Sequence, residues 1–78
     1  MSRILVVEDE QDLANLLIYN LKQAGHETDV AAAGATAIAK VTAFKPALIL
    51  LDLMLPDVSG LEVVRAVRNS KANAGTGI

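Results

Sequence analysis

Three acidic side chains follow two apolar runs of the sequence. Glu8 and Asp9 come directly after the apolar run 4–7, and Asp52 follows the apolar run 47–51. Strands that are separated by helices lie parallel, and such folds bind ligands at the carboxyl ends of their strands. Carboxylates gathered there repel one another unless a hard divalent cation lies between them. The pattern predicts a Mg²⁺ site formed by Glu8, Asp9 and Asp52.

The elements that must position these acids can be identified from the spacing of apolar residues. Leucines recur at three- and four-residue intervals between positions 13 and 24, which predicts an amphipathic helix. Gly25 suits the left-handed residue that ends many helices. The stretch 27–31 has weak strand character, and a second helical pattern follows Gly34 and stops before Pro46.

The second half of the sequence predicts one more strand and one more helix. The run 47–51 is apolar without alternation, as expected of a strand covered on both faces. Ser59 and Glu62 form a capping box at the start of a third helix, whose buried stripe is predicted to be Leu61, Val64 and Val67.

The resulting order is βαβαβα, which predicts an α/β fold with a parallel sheet. Right-handed crossovers place helices on both faces of the sheet. With the first strand central, the strand order is 2-1-3. The first and third strands are then neighbours, so their ends bring the three acids together.

Composition limits the class of protein. The 78 residues are 53% hydrophobic and 21% charged, which fits one small globular domain with a thin core. The chain has no cysteine, so no disulfide or thiolate zinc site is expected. A net charge of -2 gives no general attraction for nucleic acid, and no apolar run approaches membrane-spanning length. We expect no direct nucleic-acid binding, no membrane contact and a cytoplasmic location.

The residues resemble the receiver domain of two-component response regulators, most of all those with winged-helix DNA-binding output domains. The resemblance is carried by the acidic pair, by Asp52 and by three residues at fixed distances after it: Met54, Pro56 and Gly60. It implies a truncated flavodoxin-like fold, with residues 1–69 as the N-terminal part of a receiver domain. Residues 70–78 are expected to form a loop tail in which Ile78 could open a fourth strand.

Roles for single residues follow from this resemblance. It implies that Asp52 is the phosphoacceptor, that Glu8, Asp9 and Asp52 hold Mg²⁺, and that the backbone carbonyl of Met54 is a further ligand. A histidine kinase is the implied partner. Receivers normally continue with a Ser or Thr, a Lys and an aromatic residue on later elements, so we expect phosphoryl transfer to be impaired and signalling to fail in this chain.

Other interpretations of the same residues remain open. Glu8 and Asp9 could simply begin a helix, and Asp52 could be a turn residue. An aspartyl phosphatase would need a second acid where Met54 stands, so we expect no turnover enzyme. His26 has no partner at metal-ligand spacing and is expected at the surface.

Helix starts account for three more polar side chains. Asp12 and Asp57 are expected in solvated turns at helix starts. Ser59 is assigned to capping because no general base is placed to activate it.

The third strand is expected to have an outer edge that faces no neighbour from the same molecule. Such an apolar edge at 48–51 would pair with another chain. Leu17, Ile18 and Leu21 of the first helix are expected to be partly uncovered. The sequence therefore predicts a homodimer or larger oligomer through the edge of the third strand, and the alternative function is a self-associating fragment with vestigial phosphorylation chemistry.

Overall fold

Three strands form a parallel sheet in the computed structural model of the chain, which describes residues 2–52, 55–69 and 75–78. The strands are β1 (Arg3–Val7), β2 (Glu27–Ala31) and β3 (Leu48–Leu51). β1 is the central strand, so the order is β2-β1-β3. The predicted strand order 2-1-3 is confirmed, and all three strands end at the same edge of the sheet.

Helices connect the strands and cover the sheet on both faces, as predicted. They are α1 (Gln11–Gln23), α2 (Gly34–Phe44) and α3 (Gly60–Asn69). α1 packs on β1 and β2, whereas α2 and α3 contact each other and α2 packs on β1 and β2. The right-handed crossovers of parallel strands explain this division between the two faces.

The core lies mainly between the sheet and the pair α2 and α3. Successive side chains of a strand point to opposite faces. Leu5 and Val7 of β1 therefore face α2 and α3, while Ile4 and Val6 face α1, and all four are at most 4% exposed. The fully buried residues on the side of α2 and α3 are aliphatic, and the half-buried Phe44 packs against them. They are Leu5, Val7, Ala31, Ala37, Val41, Ile49, Val63 and Val67. Each larger side chain among them contributes about 1.5–3 kcal/mol by leaving water.

The end of α1 follows the predicted geometry. Gly25 has a φ of 88°, in the left-handed region. Its N–H donates to the Lys22 carbonyl at 3.0 Å, and the His26 N–H donates to the Leu21 carbonyl at 3.1 Å. These bonds satisfy carbonyls that the last turn of a helix leaves without partners.

The predicted buried stripe of α3 is partly wrong. The structure buries Gly60, Val63 and Val67, whereas Leu61 is 55% exposed and Val64 is half-buried. The buried face thus begins one residue earlier than predicted. The burial of Gly60 at the start of the helix goes with this shift, because the face that contains Gly60 also contains Val63 and Val67.

α1 covers the sheet incompletely. Leu17, Ile18 and Leu21 are half-buried, as predicted, and Leu16 is 58% exposed. Ala14 is the one fully buried residue of the helix. The side of the sheet next to β3 therefore receives little cover from α1.

The outer edge of β3 has a neighbour from the same chain, contrary to the prediction. Gly77 forms a parallel bridge with Leu48, in which the Ile49 N–H donates to the Gly77 carbonyl at 2.8 Å. The segment is held from two sides, because the Thr76 hydroxyl donates to the Pro46 carbonyl and Arg68 donates to the Thr76 carbonyl. A fourth strand was expected to open, if at all, at Ile78, and the bridge instead forms at the neighbouring Gly77. Glycine gives little strand signal in a sequence, so the pairing of this segment with β3 was not predicted.

A membrane-crossing helix would have to be longer and more apolar than any helix in the described part of the chain.

Candidate functional site

Three carboxylates meet at the carboxyl edge of the sheet. Glu8, Asp9 and Asp52 each offer an oxygen atom, and these atoms all lie within 4.8 Å of one another. The Glu8 N–H donates to the Ala31 carbonyl, and the Asp52 N–H donates to the Val7 carbonyl, both at 3.0 Å. The sheet hydrogen bonds therefore continue one residue past the strands and hold the backbone of the acids in place.

Glu8 is the most perturbed of the three acids. Its carboxylate accepts a hydrogen bond from the Glu10 N–H at 3.2 Å, which lowers its pKa. Burial, a side-chain hydrogen bond with Asp52 and the negative charge of Asp52 outweigh this bond, so the pKa of Glu8 is raised from its ordinary value. The side chains of Glu8 and Asp52 are half-buried, and that of Asp9 is exposed. The three carboxylates thus concentrate negative charge at this edge of the sheet.

This donor set suits one class of ligand. Carboxylate oxygens are the ligands of hard divalent cations, and Mg²⁺ is typically held by one or two carboxylates with waters in the remaining positions. Half-burial of two acids leaves room for solvent on the side of Asp9. The residues present fit Mg²⁺.

The fourth predicted ligand, the backbone carbonyl of Met54, lies outside the described residues.

The role of Glu10 next to the site was not recognised from the sequence. Glu10 caps α1, because its carboxylate accepts hydrogen bonds from the Asp12 and Leu13 N–H groups at 3.2 and 3.0 Å. Glutamate ranks low among N-cap residues, so the sequence gives little signal for this role.

Asp57 was expected in a solvated turn at the start of the helix that follows it. Its carboxylate is instead bonded to the first turn of α2, which comes earlier in the chain. It accepts from the Gly34 N–H at 2.7 Å and from the Ala35 N–H at 2.9 Å. These backbone hydrogen bonds, from Ala35 first and Gly34 second, lower the pKa of Asp57.

Ser59 and His26 lie where local chemistry explains them. The Ser59 hydroxyl accepts a hydrogen bond from the Leu61 N–H at 3.2 Å, as a residue that caps α3 should. His26 Nδ1 accepts from the Ser2 N–H at 3.3 Å at the start of β2. Neither side chain belongs to the acidic site.

Comparison with known proteins identifies the family. The model of the response regulator receiver domain matches residues 4–76. The alkaline phosphatase synthesis transcriptional regulatory protein PhoP of Bacillus subtilis is 44% identical over 69 residues, which are 88% of this chain and 29% of that protein. The transcriptional regulatory protein TrcR of Mycobacterium tuberculosis is 47% identical over 68 residues, which are 87% of this chain and 26% of that protein. The chain thus spans less than a third of the length of these curated relatives.

Solved structures agree on the fold. The chemotaxis response regulator CheY4 of Vibrio cholerae superposes with a TM-score of 0.93 at 32% identity, over 97% of this chain and 63% of that one. The response regulator TrrA of Thermotoga maritima, solved in complex with Mg²⁺ and BeF, gives a TM-score of 0.85 at 41% identity, over 91% of this chain and 62% of that one. The flavodoxin-like fold is confirmed, and the chain belongs to the receiver domain family of response regulators.

Proposed function

We propose that this chain is the phosphoacceptor module of a two-component response regulator and that Asp52 accepts the phosphoryl group. The observation that carries the proposal is the meeting of three carboxylates within 4.8 Å at the carboxyl edge of the sheet, in a chain of the receiver family. The implied donor is a phosphohistidine of a histidine kinase. The proposal concerns the acceptor step, which uses residues that this chain contains.

The acceptor step has a defined chemical balance. An oxygen of the Asp52 carboxylate attacks the phosphorus atom, a new P–O bond forms, and the P–N bond to the donor imidazole breaks with its electron pair passing to the nitrogen. Asp52 is consumed as an acyl phosphate in this step, so the chain acts as an acceptor and not as a turnover enzyme. The negative charges of carboxylate and phosphoryl group repel each other, which is the main barrier that the site must lower.

The three acids and the cation have different roles in this step. Bound Mg²⁺ would neutralise the phosphoryl oxygens and align them with the attacking oxygen. Glu8, Asp9 and Asp52 would hold the cation, and the Asp52 carboxylate would also supply the attacking oxygen. The sheet hydrogen bonds at Glu8 and Asp52 keep both backbones fixed, so little reorganisation is needed.

Labelling with a small acyl phosphate donor tests the proposal. Intact mass and peptide mapping should show one phosphoryl group on Asp52 when Mg²⁺ is present. Asp52→Asn should abolish the label, whereas Asp12→Asn, which removes an acid from the first turn of α1, should keep it. A label that survives Asp52→Asn would refute the assignment of the acceptor.

A second proposal is self-association through the exposed edge of β3. In the described part of the chain, Gly77 covers this edge only at Leu48 and Ile49. A groove beside it is lined by Val6, Leu17 and Leu50 and continues to Glu8 and Asp52 of the acidic site. Strand edges of this kind pair with other chains, and we infer a homodimer in which two copies of β3 meet antiparallel.

A further inference from the structure

The start of α2 receives its cap from a distant part of the chain. Ala33, the residue before the helix, offers no side-chain hydrogen bond to it. The two first N–H groups of the helix, those of Gly34 and Ala35, donate to the two oxygens of Asp57 instead. Asp57 lies in the connection between β3 and α3, residues 52–59, which we call the acceptor loop because Asp52 begins it.

The contact between the acceptor loop and α2 is close as well as polar. A Cβ atom built on Gly34 would overlap Cγ2 of Val58, and it would lie 3.3 Å from an oxygen of Asp57. Val58 is half-buried and packs against the main core. A side chain at position 34 would therefore force Val58 to move away from α2.

The described residues of the acceptor loop, Asp52 and 55–59, are held at two points. At the start of the loop, the Asp52 N–H donates to the Val7 carbonyl at the end of β1. Five residues later, Asp57 is bonded to the first turn of α2. Segments that are already anchored lose less conformational entropy when a ligand binds.

We propose that Asp57 is a positioning residue of the acceptor site, whose bonds to Gly34 and Ala35 hold residues 55–59 against α2 and thereby favour cation binding at Asp52. The inference rests on the proposed function, because it concerns the same site. Asp57 acts through the loop and not as a ligand. The lowered pKa of Asp57 agrees with a carboxylate that stays charged in this contact.

Magnesium titrations of the full chain and three variants test this role. Asp57→Asn keeps the shape of the side chain but turns an NH₂ group toward one of the helix N–H groups. Gly34→Ala keeps the charge of Asp57 and pushes the loop away from α2. Both should raise the Kd for Mg²⁺ by about 10-fold, the lower end of the effect of removing support behind a metal ligand. Glu62→Gln removes the same charge from the first turn of α3 and should leave the Kd unchanged.

The effect of Mg²⁺ on amide hydrogen exchange distinguishes a positioning role from a purely structural cap, whose exchange rates would not depend on Mg²⁺. If the contact favours cation binding, the cation must favour the contact by the same factor. Saturating Mg²⁺ should slow exchange of the Gly34 and Ala35 amides by about 10-fold. The Lys45 amide, which donates to the Val41 carbonyl at the other end of α2, should be unaffected.

The outcomes separate this inference from the proposed function. Mg²⁺ binding by the wild-type chain with an unchanged Kd in Asp57→Asn and Gly34→Ala, both folded by circular dichroism, would overturn the positioning role alone. Equal weakening by Asp57→Asn and Glu62→Gln would also overturn it, because net charge would then explain the effect. Absence of Mg²⁺ binding by the wild-type chain would overturn both proposals.

Discussion

At the scale of single residues, the raised pKa of Glu8 links the stability of the fold to pH and to cation binding. Its raised pKa means that the folded chain holds the Glu8 proton more tightly than the unfolded chain does. The stability gained from this proton is present below the ordinary value of 4.5 and is lost as the pH rises through the raised pKa. At neutral pH the ionised Glu8 of the metal-free site is therefore disfavoured in the folded chain, first by its burial and then by its closeness to Asp52.

The stability difference between Glu8→Gln and the wild type should change sign when Mg²⁺ is added. Without Mg²⁺ at pH 7, the variant should be more stable than the wild type by about 0.5 kcal/mol, because one of two repelling carboxylates near the surface is gone. Excess Mg²⁺ should raise the free energy of unfolding of the wild type more than that of Glu8→Gln, since a ligand stabilises the folded state according to its affinity. Thermal unfolding with and without Mg²⁺ measures both effects.

Glu62→Gln is the matched control for this crossover, because Glu62 is exposed on the first turn of α3. Its unfolding temperature should respond to Mg²⁺ as the wild type does. A Glu8→Gln variant that gains as much from Mg²⁺ as the wild type would contradict a role for Glu8 in holding the cation.

At the scale of elements, the start of α1 depends on a side chain that also lies next to the site. Glu10 caps the helix with its carboxylate, while its own N–H donates to Glu8. Glu10→Ala should lower the free energy of unfolding by about 1 kcal/mol, the usual cost of losing an N-cap. Urea unfolding measures this loss. Gln11→Ala, one residue further on, removes only a surface hydrogen bond to Asn15 and should cost clearly less, and equal losses in the two variants would contradict the capping role.

The elements also show how far the sequence alone can predict this molecule. Apolar runs and helical spacing predicted the order of the strands, and parallel strands then require Glu8, Asp9 and Asp52 to meet at one edge. The bonds of Asp57 to α2 could not be predicted, because its partners lie more than 20 residues away and neither Gly34 nor Ala35 has a side chain that signals them.

Local spacing also left one detail of packing undetermined. The apolar pattern of α3 fits a stripe through Leu61 about as well as one through Val63. The packing of the folded chain, which buries Gly60, Val63 and Val67, decides between them.

At the scale of the whole molecule, the incompletely covered side of the sheet next to β3 is the surface that we propose for self-association. Leu16 on α1 is 58% exposed and Leu61 on α3 is 55% exposed, so the two leucines form a matched pair on opposite faces. If two copies associate through β3 and the adjoining groove, Leu16→Ser should raise the dissociation constant of the dimer about tenfold or more. Burial of a leucine side chain contributes about 1.5–3 kcal/mol, which corresponds to a change of this size. Leu61→Ser should leave the dimer unchanged.

Sedimentation velocity at micromolar concentration measures this association. A stable folded monomer of the wild-type chain under those conditions would contradict the dimer. A dimer weakened by Leu61→Ser and not by Leu16→Ser would place the contact on the other face of the sheet.

We propose that the ends of β1 and β3 together form one site for a divalent cation. Mn²⁺ prefers the same oxygen ligands as Mg²⁺, and it broadens the NMR signals of nearby nuclei. Titration of the chain with substoichiometric Mn²⁺ should broaden the amide signals of Glu8, Asp9 and Asp52 first, and added Mg²⁺ should restore them. Broadening that begins elsewhere on the chain, or that persists unchanged in Asp9→Asn, would contradict the account.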